Sequence, residues 1–282
     1  MDLKSNPFFL QDSDVAWVNG TLAAMSLKEK IEHLFCLLVK EKPAEEIIAD
    51  LDLLDFQPGS YMTDIYPAQV IKTNFQKLQG RTAIPLLFAS NLERGADGIC
   101  TEGTLFGTQM QVAAAGDPRW AYELGRVCAQ EAAALGANWN FSPVVDIDYD
   151  FHNPITNTRA FSSDPDIVRE LSLAYIKGMR ENGMAVCAKH FPGDGRDERD
   201  QHMVTSINDC SVDEWDQTYG KIYQAIIDAG AETIMAAQIM LPAYSRALRP
   251  NLKDEEILSG VLSYELKNDL LRDRLGFNGL IV

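Results

Sequence analysis

Cys187-Ala188-Lys189-His190-Phe191-Pro192-Gly193-Asp194-Gly195-Arg196-Asp197-Glu198-Arg199-Asp200-Gln201-His202 carries a short apolar run, begun at Met184, straight into a dense polar loop. A buried strand that ends in such a loop is how α/β proteins place chemistry at the C-terminal ends of their strands. Charge density alone would make the loop a solvated link between strand and helix. However, two of the chain's four histidines fall within these residues, which favours a functional loop.

The pattern repeats on both sides of this stretch. Strand-like runs are expected at Phe35–Val39, Pro58–Met62, Ile84–Ala89, Ala137–Asp146, Met184–Ala188, Thr233–Ile239 and Gly279–Val282. Helical spacing separates them: Pro67 to Gln79, Trp120 to Leu135, Asp164 to Gly183, Val212 to Ala229, and a helix within Asn251 to Leu275. Ser26 with Glu29 and Ser211 with Glu214 each form a capping box, and Leu27, Ile31 and Leu34 make one apolar stripe on the helix that Ser26 opens. Alternating strands and helices predict a parallel sheet covered by helices. Seven such units of roughly forty residues fit a TIM-like (β/α)8 barrel truncated after about the seventh strand better than an open doubly wound sheet. An unpaired barrel edge is unfavourable, so the count predicts a piece of a longer protein or a domain completed by another segment. The expected division is a polar extension over residues 1–24 and the barrel over residues 25–282.

Composition narrows the function. The 282 residues are 46% hydrophobic and 23% charged, which is enough for a sizeable core. A formal net charge of −16 argues against nucleic-acid binding and against anionic membranes. The first residues lack a basic start followed by an apolar run, and no apolar stretch approaches the ~18–20 residues of a membrane span. Five scattered cysteines without paired spacing read as reduced thiols in a cytoplasmic protein. No Gly-rich dinucleotide fingerprint, phosphate loop or nucleophile elbow is present, and no cofactor is expected. A metal site from His190, Asp194, Asp200 and His202 is not favoured, because no ligand spacing sits on a rigid element. Asp200 is close enough to His202 to hold its imidazole as a general acid/base. Lys189 and His190 are donors suited to hydroxyls or an anion.

Lys189-His190-Phe191-Pro192-Gly193-Asp194-Gly195 followed by Asp200-Gln201-His202 resembles the K-H-F-P-G-x-G…D-x-H signature of glycoside hydrolase family 3, in its β-N-acetylglucosaminidase branch. Ile84–Glu93 (I-P-L-L-F-A-S-N-L-E), Asn157–Pro165 (N-T-R-A-F-S-S-D-P) and Leu275–Val282 (L-G-F-N-G-L-I-V) are similar to further motifs of that family, in the same order. The resemblance implies a barrel that removes non-reducing β-linked N-acetylhexosamine from small carbohydrates by a retaining mechanism. It further implies that His202, held by Asp200, is the acid/base, and that Lys189, His190, Arg159 and Asn91 grip the sugar. The family's nucleophilic Asp would lie about two residues beyond Val282, so the fragment is expected to be inactive. Asn91, Gln238 and Asp194 depart from the family's Asp, His and His. A glycoside phosphorylase, a β-glucosidase and a non-catalytic sugar-binding homologue remain alternatives, and oligomeric state is not readable.

Overall fold

The computed structural model describes residues 1–39 and 42–282. Among the described residues nine strands form: β1 Cys36–Val39, β2 Ser60–Thr63, β3 Leu87–Ser90, β4 Trp139–Asn140, β5 Ala185–Phe191, β6 Ser206–Ile207, β7 Thr233–Ala236, β8 Ile239–Met240 and β9 Leu280–Ile281. Seven of them pair side by side in chain order, β1-β2-β3-β4-β5-β7-β9, every pair parallel. The short β6 and β8 make a separate parallel pair. This is the seven-stranded, barrel-like α/β sheet that the alternation predicts.

Strand periodicity divides the core in two. Outward-facing residues such as Val186 and Ala188 pack under the helices Arg119–Leu135, Pro165–Arg180 and Tyr219–Asp228. Ala89, Trp139, Phe141 and Cys187 form a separate cluster, with the half-buried Cys36, Met62, Ala185 and Met235 against it. These residues fill the inside of the curved sheet. Trp139 is fixed there by donating its indole N–H to Thr233 Oγ1 at 2.9 Å. Burial pushes the Cys187 thiol up to about 12, so it packs as a small apolar group.

Several local expectations change. The helix expected over Val212–Ala229 is two, Val212–Gln217 and Tyr219–Asp228, broken at Thr218, whose hydroxyl donates to Glu214 O. Pro85 has no N–H to give a ladder, and β3 starts later than expected, at Leu87. The run Thr233–Ile239 divides between β7 and β8. The capping boxes of Ser26 and Ser211 form as read. In contrast, the stripe Leu27, Ile31 and Leu34 faces solvent. Within the polar extension, Asp12–Ala24 is a helix with no buried residue, and Asn6 ahead of it donates to Ile227 O at 2.6 Å. Among the described residues no helix is long and apolar enough to cross a membrane.

Candidate active site

The inward face of the sheet turns polar at its C-terminal rim. Asn91 continues the face of Ala89, and Lys189 that of Cys187. Leu92 is fully buried and pinned: its N–H donates to Asn140 Oδ1 at 3.1 Å and its carbonyl accepts from Tyr175 Oη at 2.7 Å. Its neighbours Asn91 and Glu93 are thereby directed to the other side. In β5, Lys189 pairs with Met235 and Phe191 with Ala236, so His190 is an extra residue against β7. Such a bulge re-aims side chains, and Lys189 and His190 both border the same cavity of ≈ 380 Å³. Asn91, Arg159, Gln201, His202 and Gln238 line it too, above Met62, Phe141 and Met235 of the inner cluster.

Glu93 organises the cations. It takes a two-pronged pair from Arg159, Nε to Oε2 at 2.8 Å and Nη2 to Oε1 at 2.7 Å, and Lys189 Nζ lies 2.7 Å from Oε1. Burial opposes ionisation of Glu93, yet the Lys189 charge and the paired Arg159 hold its carboxyl well below the usual range. Lys189 also donates to Asn91 Oδ1 at 3.2 Å. An ammonium has no acceptor, so this contact fixes the amide with its Nδ2 donors away from Lys189.

Behind the cations sits a buried dyad. His190 Nδ1 is 2.6 Å from Asp146 Oδ2, while the backbone N–H groups of His190 and Asp194 donate to Asp146 Oδ1 at 3.0 and 2.8 Å. Burial lowers the His190 pKa against the pull of Asp146. Burial also works to raise Asp146, but His190 and the two N–H groups prevail and keep it an anion. With Nδ1 taken by Asp146, Nε2 is the ring nitrogen of His190 left for a ligand.

Asp194, in place of a second loop histidine, is buried. Its carboxylate accepts from Asn153 Nδ2 at 2.9 Å, Gly195 N at 2.7 Å and Gln201 Nε2 at 2.8 Å. Burial and the nearby Asp146 charge push it up to about 7. The chain can turn so tightly here because Gly195 adopts φ +104°, and a Cβ at this position would lie 1.8 Å from Ile147 O.

His202 stands at the mouth. Asp200 Oδ1 accepts from His202 N at 2.8 Å and lies 2.7 Å from its Nδ1. These two bonds hold the Asp200 carboxyl below its ordinary value. The predicted residues therefore converge on one cavity: Asn91, Arg159, Lys189, His190 and His202 line it, with Asp200 bonded to His202. Glu93, Asp146 and Gln201 were not foreseen. Glu93 was visible only as the last letter of its motif, and Asp146 and Gln201 carried no signal beyond their neighbours.

Comparison with known proteins gives the chain's family. Residues 26–282 match the profile described as the glycosyl hydrolase family 3 N terminal domain. A β-N-acetylglucosaminidase/β-glucosidase of Cellulomonas fimi is 46% identical over the whole chain, which covers 50% of that protein. The solved β-glucoside phosphorylase BglX superposes with a TM-score of 0.94 at 44% identity, over 99% of this chain and 50% of that one. A family 3 β-N-acetylglucosaminidase from Paenibacillus sp. str. FPU-7 gives a TM-score of 0.79 at 26% identity, over 92% of this chain and 49% of that one. The chain thus spans about half the length of these relatives.

Proposed function

The chain belongs to glycosyl hydrolase family 3, and from that membership we propose that it bears the acid/base and the sugar grip of a retaining enzyme for non-reducing β-linked N-acetylhexosaminides. The observation that carries this reading is His202 at the mouth of the cavity, its Nδ1 tied to Asp200 at 2.7 Å and its ring bordering the same space as Asn91 and Lys189. With Nδ1–H given to Asp200, Nε2 is the atom that carries the proton to and from substrate.

In the first step a carboxylate attacks the anomeric carbon, the glycosidic C–O bond breaks, and His202 gives its proton to the departing oxygen. In the second, His202 takes a proton from water as the water oxygen displaces the carboxylate and releases the sugar. The side chains lining the cavity include no carboxylate among the described residues. We assign the nucleophile to residues that continue β9. Val282 N donates to Ile234 O and Val282 O accepts from Ala236 N, both at 2.8–2.9 Å, so a continuing chain would leave beside Ala236 at the cavity wall.

A second reading is supported by the likeness to a β-glucoside phosphorylase. A neutral imidazole lets an anionic phosphate approach where a second carboxylate would repel it. The test is turnover of aryl β-N-acetylglucosaminides and β-glucosides by the full-length protein, with and without inorganic phosphate. Free N-acetylglucosamine as the product supports hydrolysis, whereas a sugar 1-phosphate transfers the assignment to phosphorolysis. Turnover unchanged by His202→Ala would sink the acid/base assignment under either reading.

A further inference from the structure

We propose that Asp194 is the positioning residue of the acid/base loop, acting on His202 through the side chain of Gln201. This rests on the reading of His202 given above. Among the described residues 196–205, Gln201 alone is buried. It sits between Asp200 and His202, and its Nε2 donates to Asp194 Oδ2 at 2.8 Å. Asp194 is itself fixed from three sides. Its N–H donates to Asp146 Oδ1 at 2.8 Å, its carbonyl accepts from Tyr219 Oη at 2.7 Å, and Oδ1 accepts from Asn153 and Gly195.

A continuous chain of hydrogen bonds therefore runs from His190 through Asp146 and Asp194 to Gln201, and so from the sugar grip to the acid. The neighbouring tethers lie outside the Asp200–His202 turn: Asp197 Oδ2 accepts from Ile207 N at 2.8 Å, Asp197 O accepts from Asn153 Nδ2 at 2.8 Å, Arg199 O accepts from Ser206 Oγ at 3.1 Å, and Ser206 N donates to Gln238 O at 3.1 Å. Without the Gln201 anchor the turn would hang between Arg199 and Ser206. The ring would then sweep positions away from the glycosidic oxygen, and a displacement of roughly 1 Å can cost about a hundredfold in rate.

The test compares leaving groups in the full-length protein. A dinitrophenyl glycoside departs without protonation, whereas a methoxyphenyl glycoside needs the acid, and kcat/KM reports the bond-breaking step for both. Asp194→Ala and Gln201→Met are expected to lower kcat/KM about 10–100-fold for the methoxyphenyl glycoside and less than about threefold for the dinitrophenyl one. Asp194→Asn should recover most of the loss, because its carbonyl still serves Asn153 and Gly195 while Gln201 can turn to accept from its amide.

Equal losses on both substrates, or none on either, in the soluble and folded Gln201→Met protein would overturn the proposal. His202→Ala separates the two levels. If it shows no leaving-group dependence, the acid/base reading itself fails. If it does and the Asp194 and Gln201 variants do not, only the positioning role is lost.

Discussion

Asp150-Phe151-His152 and Asp200-Gln201-His202 are the same local structure twice. In each, the aspartate Oδ1 accepts from the histidine backbone N–H, at 2.9 and 2.8 Å, and approaches its ring Nδ1, at 3.0 and 2.7 Å. Even the side-chain exposures match, 61% for His152 and 59% for His202. The middle residue differs. Phe151 is 74% exposed and only lies tilted against the ring of His152, while Gln201 is 3% exposed and bonded to Asp194. Only the second histidine borders the cavity that Lys189 and Asn91 share. An Asp-x-His turn is thus a short-range product of Asx-type hydrogen bonding, and a catalytic role depends on what holds it and what it faces.

The largest expected difference is in rate. His202→Ala should reduce kcat/KM on a poor leaving group by about 10²–10⁴, and His152→Ala by less than about twofold. Comparable losses from both would erase the distinction. Asp194 offers a sharper probe, through pH. Its folded-state pKa is raised to about 7 by burial and by Asp146, so its stabilising contribution is complete below the ordinary carboxylate range and is lost as pH rises through about 7. The groups facing it are Asp146, Asn153, Gln201, Gly195 and Tyr219, with the Arg159 charge acting on it as well. Asp194→Asn should remove that slope and raise the melting temperature at pH 8 relative to pH 5 by a few degrees, roughly. Asp150→Asn should leave the slope in place. The smallest effect belongs to Phe151→Ser, which should change stability by no more than about 0.5 kcal/mol in thermal denaturation.

Much of this was legible from sequence, for physical reasons. Most sheet strands lie in short apolar runs because the central strands are buried on both faces, and such runs stand out without an alternation to decode. The Ser26 and Ser211 caps are local, and so is the Asp200–His202 turn. The Leu27, Ile31 and Leu34 stripe misled because periodicity states which residues share a face and leaves open what covers it. Asp12–Ala24 escaped for the opposite reason, since it buries nothing and has no stripe. Within the site, the cavity residues Asn91, Arg159, Lys189, His190 and His202 were readable, while Gln201 and the supports Glu93 and Asp146 were not. Glu93 meets Arg159 across 66 positions, and Asp146 meets His190 across 44, distances over which the sequence carries no periodic signal.

The Trp139, Phe141 and Cys187 cluster beneath the cavity has a consequence for how substrate is handled. It gives the cavity a closed floor, in which Phe141, Met62 and Met235 are shared with the packed interior. A sugar chain cannot thread down through such a floor, so a bound sugar leaves above it. On the glycosidase reading proposed above, each encounter would then remove one terminal sugar before the chain is released, and a time course of products from the full-length protein is expected to show single sugars from the start with shortened oligomers in solution between cuts.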